Sequence, residues 1–412
     1  MRCVVYSLAA GLCWAATPAA AQTPAPADMP GWWMVPVLRT FAVNEDTLPL
    51  AGERRSGSFF RLTPSVEARF KNPLRSFEAA YSFDSEAYPG TLDVLDDALA
   101  RQSGTLEFNT NVSTRSFLTG RARYISTRRP EQVFDNTGLL AERRRTTSAM
   151  AEAGFDRQIA PRLRGAFAYT FNRDDFGPPT ERRQSARSTT HTASSGFTLQ
   201  QSPRTALTLE YEGRILVGED LLFDDVRREV FGANTVSFSV ARSLTPSVTA
   251  TVLGGARLSQ TVAELDPAAA AASLEWEARP ELLVSIAHQS TGRAISAAYT
   301  RTAYLGYGAQ GFVDTQSVEM RVNQSVGQRL RLALRPAVYL NTLADVEATS
   351  YRLDAAAVFQ ASRWLGVEFT YLLKNQSRAL SPADDEAGEL GRRRVRNSIM
   401  IGLVLQRPVR MK

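Results

Sequence analysis

A chain of 412 residues that is 44% hydrophobic, 22% charged and 9% aromatic is too polar for a bundle of membrane helices and too apolar to stay disordered. Its 48 Lys plus Arg against 42 Asp plus Glu give a formal charge of +6, and every basic residue except Lys71, Lys374 and Lys412 is an arginine. As a soluble protein this length predicts two or three domains, yet single all-β barrels also reach it, so the pattern along the chain must decide.

Met1-Arg2, an apolar run from Val4 to Ala16, and Ala19-Ala20-Ala21 before Gln22 follow the order of a secretory signal peptide, residues 1–21, cleaved after Ala21. Both cysteines, Cys3 and Cys13, fall inside it. Residues 22–412 therefore lack a thiol, which excludes disulfides, cysteine-held metals and a cysteine nucleophile. Residues 22–31 read as a short periplasmic segment, 32–406 as the body of the fold and 407–412 as a C-terminal tail. After Gln22 there is no apolar run of about 18 residues, so no membrane helix is expected. The Gram-negative periplasm or outer membrane is the expected destination.

From residue 75 onward the chain alternates. Phe77, Ala79, Tyr81 and Phe83 interleave with Glu78, Ala80, Ser82 and Asp84, the period of a strand with one apolar and one polar face. Leu163 to Phe171, Leu207 to Ile215, Leu330 to Leu340, Leu365 to Tyr371 and Ile399 to Leu405 repeat it. Short connections are expected near 71–73, 113–117, 158–162, 201–203, 243–246, 279–280, 325–327 and 362–363. Long ones are expected near 42–56, 88–103, 128–146, 173–188, 217–229, 260–270, 290–311, 341–348 and 376–393. With a first strand from Trp33 to Phe41, these join about eighteen antiparallel strands. An even count with short periplasmic turns and longer external loops predicts a transmembrane barrel rather than a soluble sandwich. Tyr81, Phe83, Tyr124, Tyr169, Phe171, Tyr211, Phe369 and Tyr371 come late on upward strands, as an outer aromatic girdle requires.

The polar faces then form a lumen wall: Arg61, Glu67, Arg69, Arg121, Arg123, Glu210, Glu212, Arg214, Glu275, Glu277, Arg331, Arg335, Arg352, Asp354, Glu368 and Lys374. Both signs interleave, which suits a water-filled pore or simple pairing between strands. Tyr339 is the one clear inward aromatic in this reading. The segment from Ser188 to Gln200 has hydroxyls on both faces and is expected to rise partly above the membrane.

Acidic residues flank arginines at Glu142-Arg143-Arg144-Arg145, Glu181-Arg182-Arg183, Asp224-Asp225 with Arg227-Arg228, and Asp384-Asp385-Glu386 with Arg392-Arg393-Arg394. Such loops are either solvated or paired with lipopolysaccharide phosphates. Partners expected from this layout are outer-membrane lipid, lipopolysaccharide and the barrel-assembly machinery. Nucleic acid is not among them, because the signal and strand pattern place the chain outside the cytoplasm. No glycine phosphate loop, paired-carboxylate site or zinc or calcium spacing stands out, so no cofactor or metal is expected.

The opening Gly57-Ser58-Phe59-Phe60-Arg61-Leu62-Thr63-Pro64 and the regular hairpins after it resemble outer-membrane β-barrel proteins of the porin type associated with exopolysaccharide gene clusters. The resemblance implies a conduit for a secreted polysaccharide, working with periplasmic export components; a general diffusion porin is the alternative. A barrel of this kind usually ends on an aromatic residue, whereas Leu405-Gln406 is followed here by Arg-Pro-Val-Arg-Met-Lys. A different class is raised by His288-Gln289-Ser290, which is similar to the His-Gln-Ser segment of outer-membrane phospholipase A. That likeness implies a lipid hydrolase with His288 as base and Ser290 as nucleophile, but the orienting Asn position twelve residues on is Thr302. Alternation places His288 outward, near the external end of an upward strand. His191 has no evident partner in the sequence.

Overall fold

The computed structural model describes residues 30–46, 56–87, 100–128, 145–177, 185–222, 225–263, 276–305, 312–343, 346–377 and 394–410. Every element among them is a strand. The first six are β1 (Gly31–Asp46), β2 (Ser56–Lys71), β3 (Arg75–Ala87), β4 (Arg101–Ser113), β5 (Ser116–Thr127) and β6 (Thr146–Ala160). They are followed by β7 (Leu163–Phe176), β8 (Ser185–Ser202), β9 (Thr205–Leu222), β10 (Asp225–Thr245), β11 (Val248–Ala263) and β12 (Glu277–Ser290). Then come β13 (Arg293–Leu305), β14 (Phe312–Val326), β15 (Leu330–Leu343), β16 (Val346–Gln360), β17 (Leu365–Gln376) and β18 (Arg394–Gln406), with a two-residue β19 (Val409–Arg410).

Each strand pairs antiparallel with the next, and β18 returns to β1 from Val37 opposite Gln406 to Asp46 opposite Asn397. The barrel of eighteen full strands is therefore closed. Closure is what a bilayer demands, because an open edge would leave backbone groups facing hydrocarbon without partners. After Arg407-Pro408 the chain rejoins the same seam, with Val409 opposite Met34 and Arg410 opposite Trp33.

Directly opposed residues share a face, so the register separates outside from inside. The outer face carries the large exposed hydrophobics, among them Phe60 at 65%, Val318 at 56% and Ile401 at 54%. A soluble sandwich buries such side chains; a membrane barrel presents them to lipid. The outer face also carries Tyr81, Tyr124, Tyr169, Tyr211, Phe369 and Tyr371, all on odd-numbered strands that run toward the long connections. With its lipid-facing belt and aromatic girdle, the chain is an outer-membrane barrel of a Gram-negative bacterium.

The short turns have a local chemical cause. The side-chain oxygens of Asn72, Ser113, Ser202, Thr245 and Ser362 accept the backbone N–H two residues on, at 2.9, 3.1, 3.3, 3.3 and 3.2 Å. This local bond bends the chain before the next strand starts.

Two connections differ from the sequence reading. Arg279-Pro280, taken as a turn, lies inside β12, where Pro280 faces outward opposite Ala256. The real turn is Thr291-Gly292, which the sequence reading had absorbed into a long connection at 290–311; Gly292 has φ of 74°, a conformation that favours glycine. One false turn and one missed turn cancel, so the strand total survives. The connections read at 217–229 and 341–348 are also shorter, because β10 starts at Asp225 and β16 at Val346. Residues 1–29, the clusters at 142–144, 181–183 and 384–393, and Glu275 lie outside the described residues.

Candidate functional site

The interior wall is the candidate site. Arg121 and Arg123 on β5, Glu210, Glu212 and Arg214 on β9, Glu277 on β12, and Arg331, Arg335 and Tyr339 on β15 all stand on the inward face by register. So do Arg61, Glu67, Arg69, Arg352, Asp354, Glu368 and Lys374.

These charges are largely engaged with one another. Arg121 meets Glu107 at 3.1 Å, Arg214 meets Glu212 at 2.7 Å and Arg335 meets Glu319 at 2.6 Å. Arg61 pairs with Glu86 at 2.8 Å, Arg164 with Asp156 at 3.0 Å, Arg279 with Glu277 at 2.7 Å, and Arg352 with Asp354. Arg396 and Glu45 join β18 to β1 across the seam at 2.6 Å. Pairing of this kind leaves small local dipoles along the wall instead of one dominant sign of charge.

Arg257 is one of several interior charges absent from the sequence reading, together with Glu45, Glu86, Glu107, Glu319 and Arg396. It donates to the carbonyl oxygen of Ala303, reaches Thr302 Oγ1 at 3.5 Å and pairs with Glu281, tying β11 to β12 and β13. The misplaced turn hid it, since Glu281 then fell at a strand start. The signal available was the alternation of Gly255, Arg257 and Ser259 with apolar neighbours.

Burial is graded along the wall. Near the long connections Glu45, Thr146, Thr315, Asn341, Ser350 and Gln376 are fully buried, whereas near the short turns Lys71, Glu78, Asn111 and Gln158 are exposed. At the short-turn end a recess of about 300 Å³ opens, with Gln289, Asn323, Ser325, Arg331 and Val358 in its lining. Between these levels β8 presents Thr190, Thr192, Ser194 and Thr198 inward. Its outward Thr189, His191 and Ser195 explain the two-faced hydroxyl pattern of this long strand.

Tyr339 is not the sole inward aromatic. Trp33, Phe41, Phe59 and Phe231 also face inside, with Phe41 and Phe59 in a buried cluster with Val43 and Met400. Alternation misled here because β1 carries apolar residues on both faces: Trp32, Met34 and Leu38 outside, and Val35, Phe41 and Val43 inside.

His288 and Ser290 share the outer face of β12 but lie at the short-turn end, the opposite end from that expected. Odd strands run toward the long connections and β12 is even, so correcting the turn reverses the direction. Thr302 stands inside the barrel and donates to Glu281 Oε1 at 3.1 Å. The wall separates it from the imidazole, so it cannot orient His288 for catalysis.

No family model matches the chain, and no curated protein matches it. Among solved structures, the chain is similar to the outer-membrane protein opdK from Pseudomonas aeruginosa, at 12% identity and TM-score 0.45 over 92% of this chain and 99% of that one. OccK9 from the same organism gives 10% identity and TM-score 0.45 over 92% of this chain and 98% of that one. The FrpB iron transporter from Neisseria meningitidis gives 8% identity and TM-score 0.46 over 91% of this chain and 81% of that one.

Proposed function

We propose that this barrel is an outer-membrane channel and that its cargo is an exopolysaccharide on its way out of the cell. The observation that carries the reading is the composition of the inward face, where opposite charges paired within the wall alternate with hydroxyls such as Thr190, Thr192 and Ser194. A long hydroxylated polymer must exchange hydrogen bonds with its path without being held at any one point. Charges already satisfied by a neighbour bind a passing hydroxyl weakly, and hydroxyls on the wall replace part of its water. The open short-turn end suits entry from the periplasm, and the buried polar level near the long connections suits a narrower exit. The exopolysaccharide as cargo, and periplasmic export components as partners, rest on the resemblance of the hairpin layout.

The same paired wall also suits small polar solutes, which keeps a general diffusion porin as the second reading. The test is conductance of the refolded protein in a planar bilayer, with an exopolysaccharide from the producing cell titrated afterwards. Stable openings blocked by the polymer support export. Openings indifferent to polymer favour the diffusion porin, and a folded but silent barrel overturns the channel reading altogether.

A further inference from the structure

The short turns share a charge that the wall above them does not. Those from β2–β3 to β8–β9 hold Arg75, Arg115, Arg162 and Arg204 in or beside them, and those from β10–β11 to β16–β17 hold Arg242, Arg293, Arg329 and Arg363. All of these are exposed, and none forms an ion pair among the described residues. No Asp or Glu occurs at 71–77, 108–120, 157–169, 197–209, 241–250, 282–297, 320–336 or 355–367. The short-turn mouth is therefore ringed by uncompensated positive charge, whereas further in the wall pairs its charges.

Arg75, Arg242 and Arg293 stand on outward rows, where lipid anchoring would call for a cation. Arg115, Arg162, Arg204, Arg329 and Arg363 do not: they lie in the turns themselves, past the last register pair of their own hairpins. Just inside this ring opens the recess of about 300 Å³. Gln289, Ala294, Asn323, Ala333 and Ala356 are successive register partners from β12 to β16, so small methyl groups form its floor beside two amides. One step nearer the turns, Arg331 stands opposite Ser325 and Val358. Arg331 has no ion-pair partner among the described residues. Glu319 is engaged by Arg321 and Arg335, and Glu368 lies one strand further on, past Val358.

A sugar unit offers hydroxyls around its ring, apolar C–H groups on its faces and, in a uronate, one carboxylate. Gln289, Asn323 and Ser325 suit the hydroxyls, the alanine floor suits a C–H face, and the guanidinium fork of Arg331 matches two carboxylate oxygens. A neutral sugar would leave that fork without a partner. We propose, resting on the export reading above, that the cargo is an acidic polysaccharide bearing uronate units, gathered by the arginine ring and received at the Arg331 recess. The ring concentrates the polymer at the mouth through a field that salt screens. The recess holds one unit by a single fork, and the paired charges further in hold it less, so the chain moves on.

The experiment titrates trigalacturonate into the full chain refolded in detergent and follows binding by calorimetry at several salt concentrations. Parallel titrations use the neutral trisaccharide maltotriose and phosphatidylglycerol. Trigalacturonate is expected to bind about ten-fold more tightly than maltotriose. Arg331→Gln should weaken trigalacturonate about ten-fold, and Arg331→Lys, which keeps the charge without the fork, by less. Arg115→Gln/Arg162→Gln/Arg204→Gln should flatten the salt dependence, while Arg75→Gln on the outward row should bind as the parent chain does. Heat-modifiable gel mobility verifies that each variant is folded. Equal binding of the acidic and neutral trisaccharides, or undiminished binding in both Arg331 variants, would overturn the proposal. So would a turn variant that loses phosphatidylglycerol and keeps trigalacturonate unchanged at every salt concentration. Conductance of the same protein separates this from the export reading: an open pore without trigalacturonate binding removes the acidic cargo and leaves the channel. A silent barrel that binds trigalacturonate overturns transport, and with it the cargo, and leaves only a uronate-binding site.

Discussion

The phenol oxygen of Tyr169 lies 2.7 Å from Nδ1 of His191, on the neighbouring strand but two residues nearer the long connections than its register partner Ala193. The same diagonal recurs in three other hairpins: Tyr81 to Gln102 at 3.3 Å, Tyr211 to Asn234 at 2.7 Å and Tyr299 to Gln316 at 3.1 Å. Each tyrosine thus leans outward along the barrel, keeping its ring against lipid and giving its hydroxyl a polar partner at the interface. Removing only the hydroxyl, as in Tyr211→Phe, should cost about 1 kcal/mol in equilibrium unfolding from lipid bilayers. Tyr211→Ala, which also removes the ring, should cost clearly more; equal losses for the two would mean that the ring adds nothing beyond the diagonal bond, and no loss in Tyr211→Phe would mean that the bond itself contributes nothing.

Gly402 lies at the seam, opposite Phe41 of β1 and Glu368 of β17. A Cβ there would overlap both the backbone carbonyl oxygen of Thr40 and the Phe41 ring. Gly402→Ala is therefore expected to lose about 1–3 kcal/mol and to lower the folded fraction on a heat-modifiability gel. Adding Phe41→Ala should not restore it, because the Thr40 carbonyl stays in place.

The segment after Gln406 does more than extend the chain. Val409 and Arg410 pair with Met34 and Trp33, the Arg410 guanidinium sits 5.9 Å from the Trp33 ring centre, and that of Arg407 lies 5.6 Å from the Trp364 ring centre. Ending the chain at Gln406 should leave a folded barrel less stable by about 1–2 kcal/mol, read as a lower urea midpoint. An unchanged midpoint would show that these contacts are not formed in the bilayer.

Arg257 ties three strands through one buried guanidinium group. Arg257→Ala leaves the partly buried Glu281 with only the Thr302 hydroxyl as partner and should lose about 2–3 kcal/mol, below the cost of a fully buried unpaired charge. Arg257→Met combined with Glu281→Leu removes both charges and fills the space, so it should recover most of that loss. Urea unfolding of the two variants separates an ionic tie from simple packing.

A lipid-hydrolase reading makes its own prediction, and the geometry argues against it. With Thr302 on the opposite side of the wall from His288, calcium-dependent phospholipid release should be absent from the parent chain and unchanged by Ser290→Ala. Release abolished by Ser290→Ala would reinstate that reading.

Much of the fold was legible because side chains on a strand alternate strictly, so a period of two already states which residues meet lipid and which meet the interior. Tyr81, Tyr169, Tyr211 and Phe369 could be put on the outer face, and Arg121, Glu212 and Arg335 on the inner one, without coordinates. The rule failed where local chemistry imitated another signal. Arg279-Pro280 looked like a turn because proline is rare inside a sheet, yet Pro280 is accommodated on the lipid face of β12. Thr291-Gly292 carried the weaker signal and made the real turn.

The sequence by itself determined the alternation and the outward aromatic belt, because each follows from the direction of successive side chains along one strand, whereas the total of eighteen strands came out right only through the cancelling of a false turn by a missed one. Only the tertiary structure decided which acid each arginine meets, that the apolar inner face of β1 packs with Phe59 and Met400, and that Arg396 and Glu45 join opposite ends of the chain. Those depend on the register between strands distant in sequence and on the closure of β18 against β1, which no local pattern specifies.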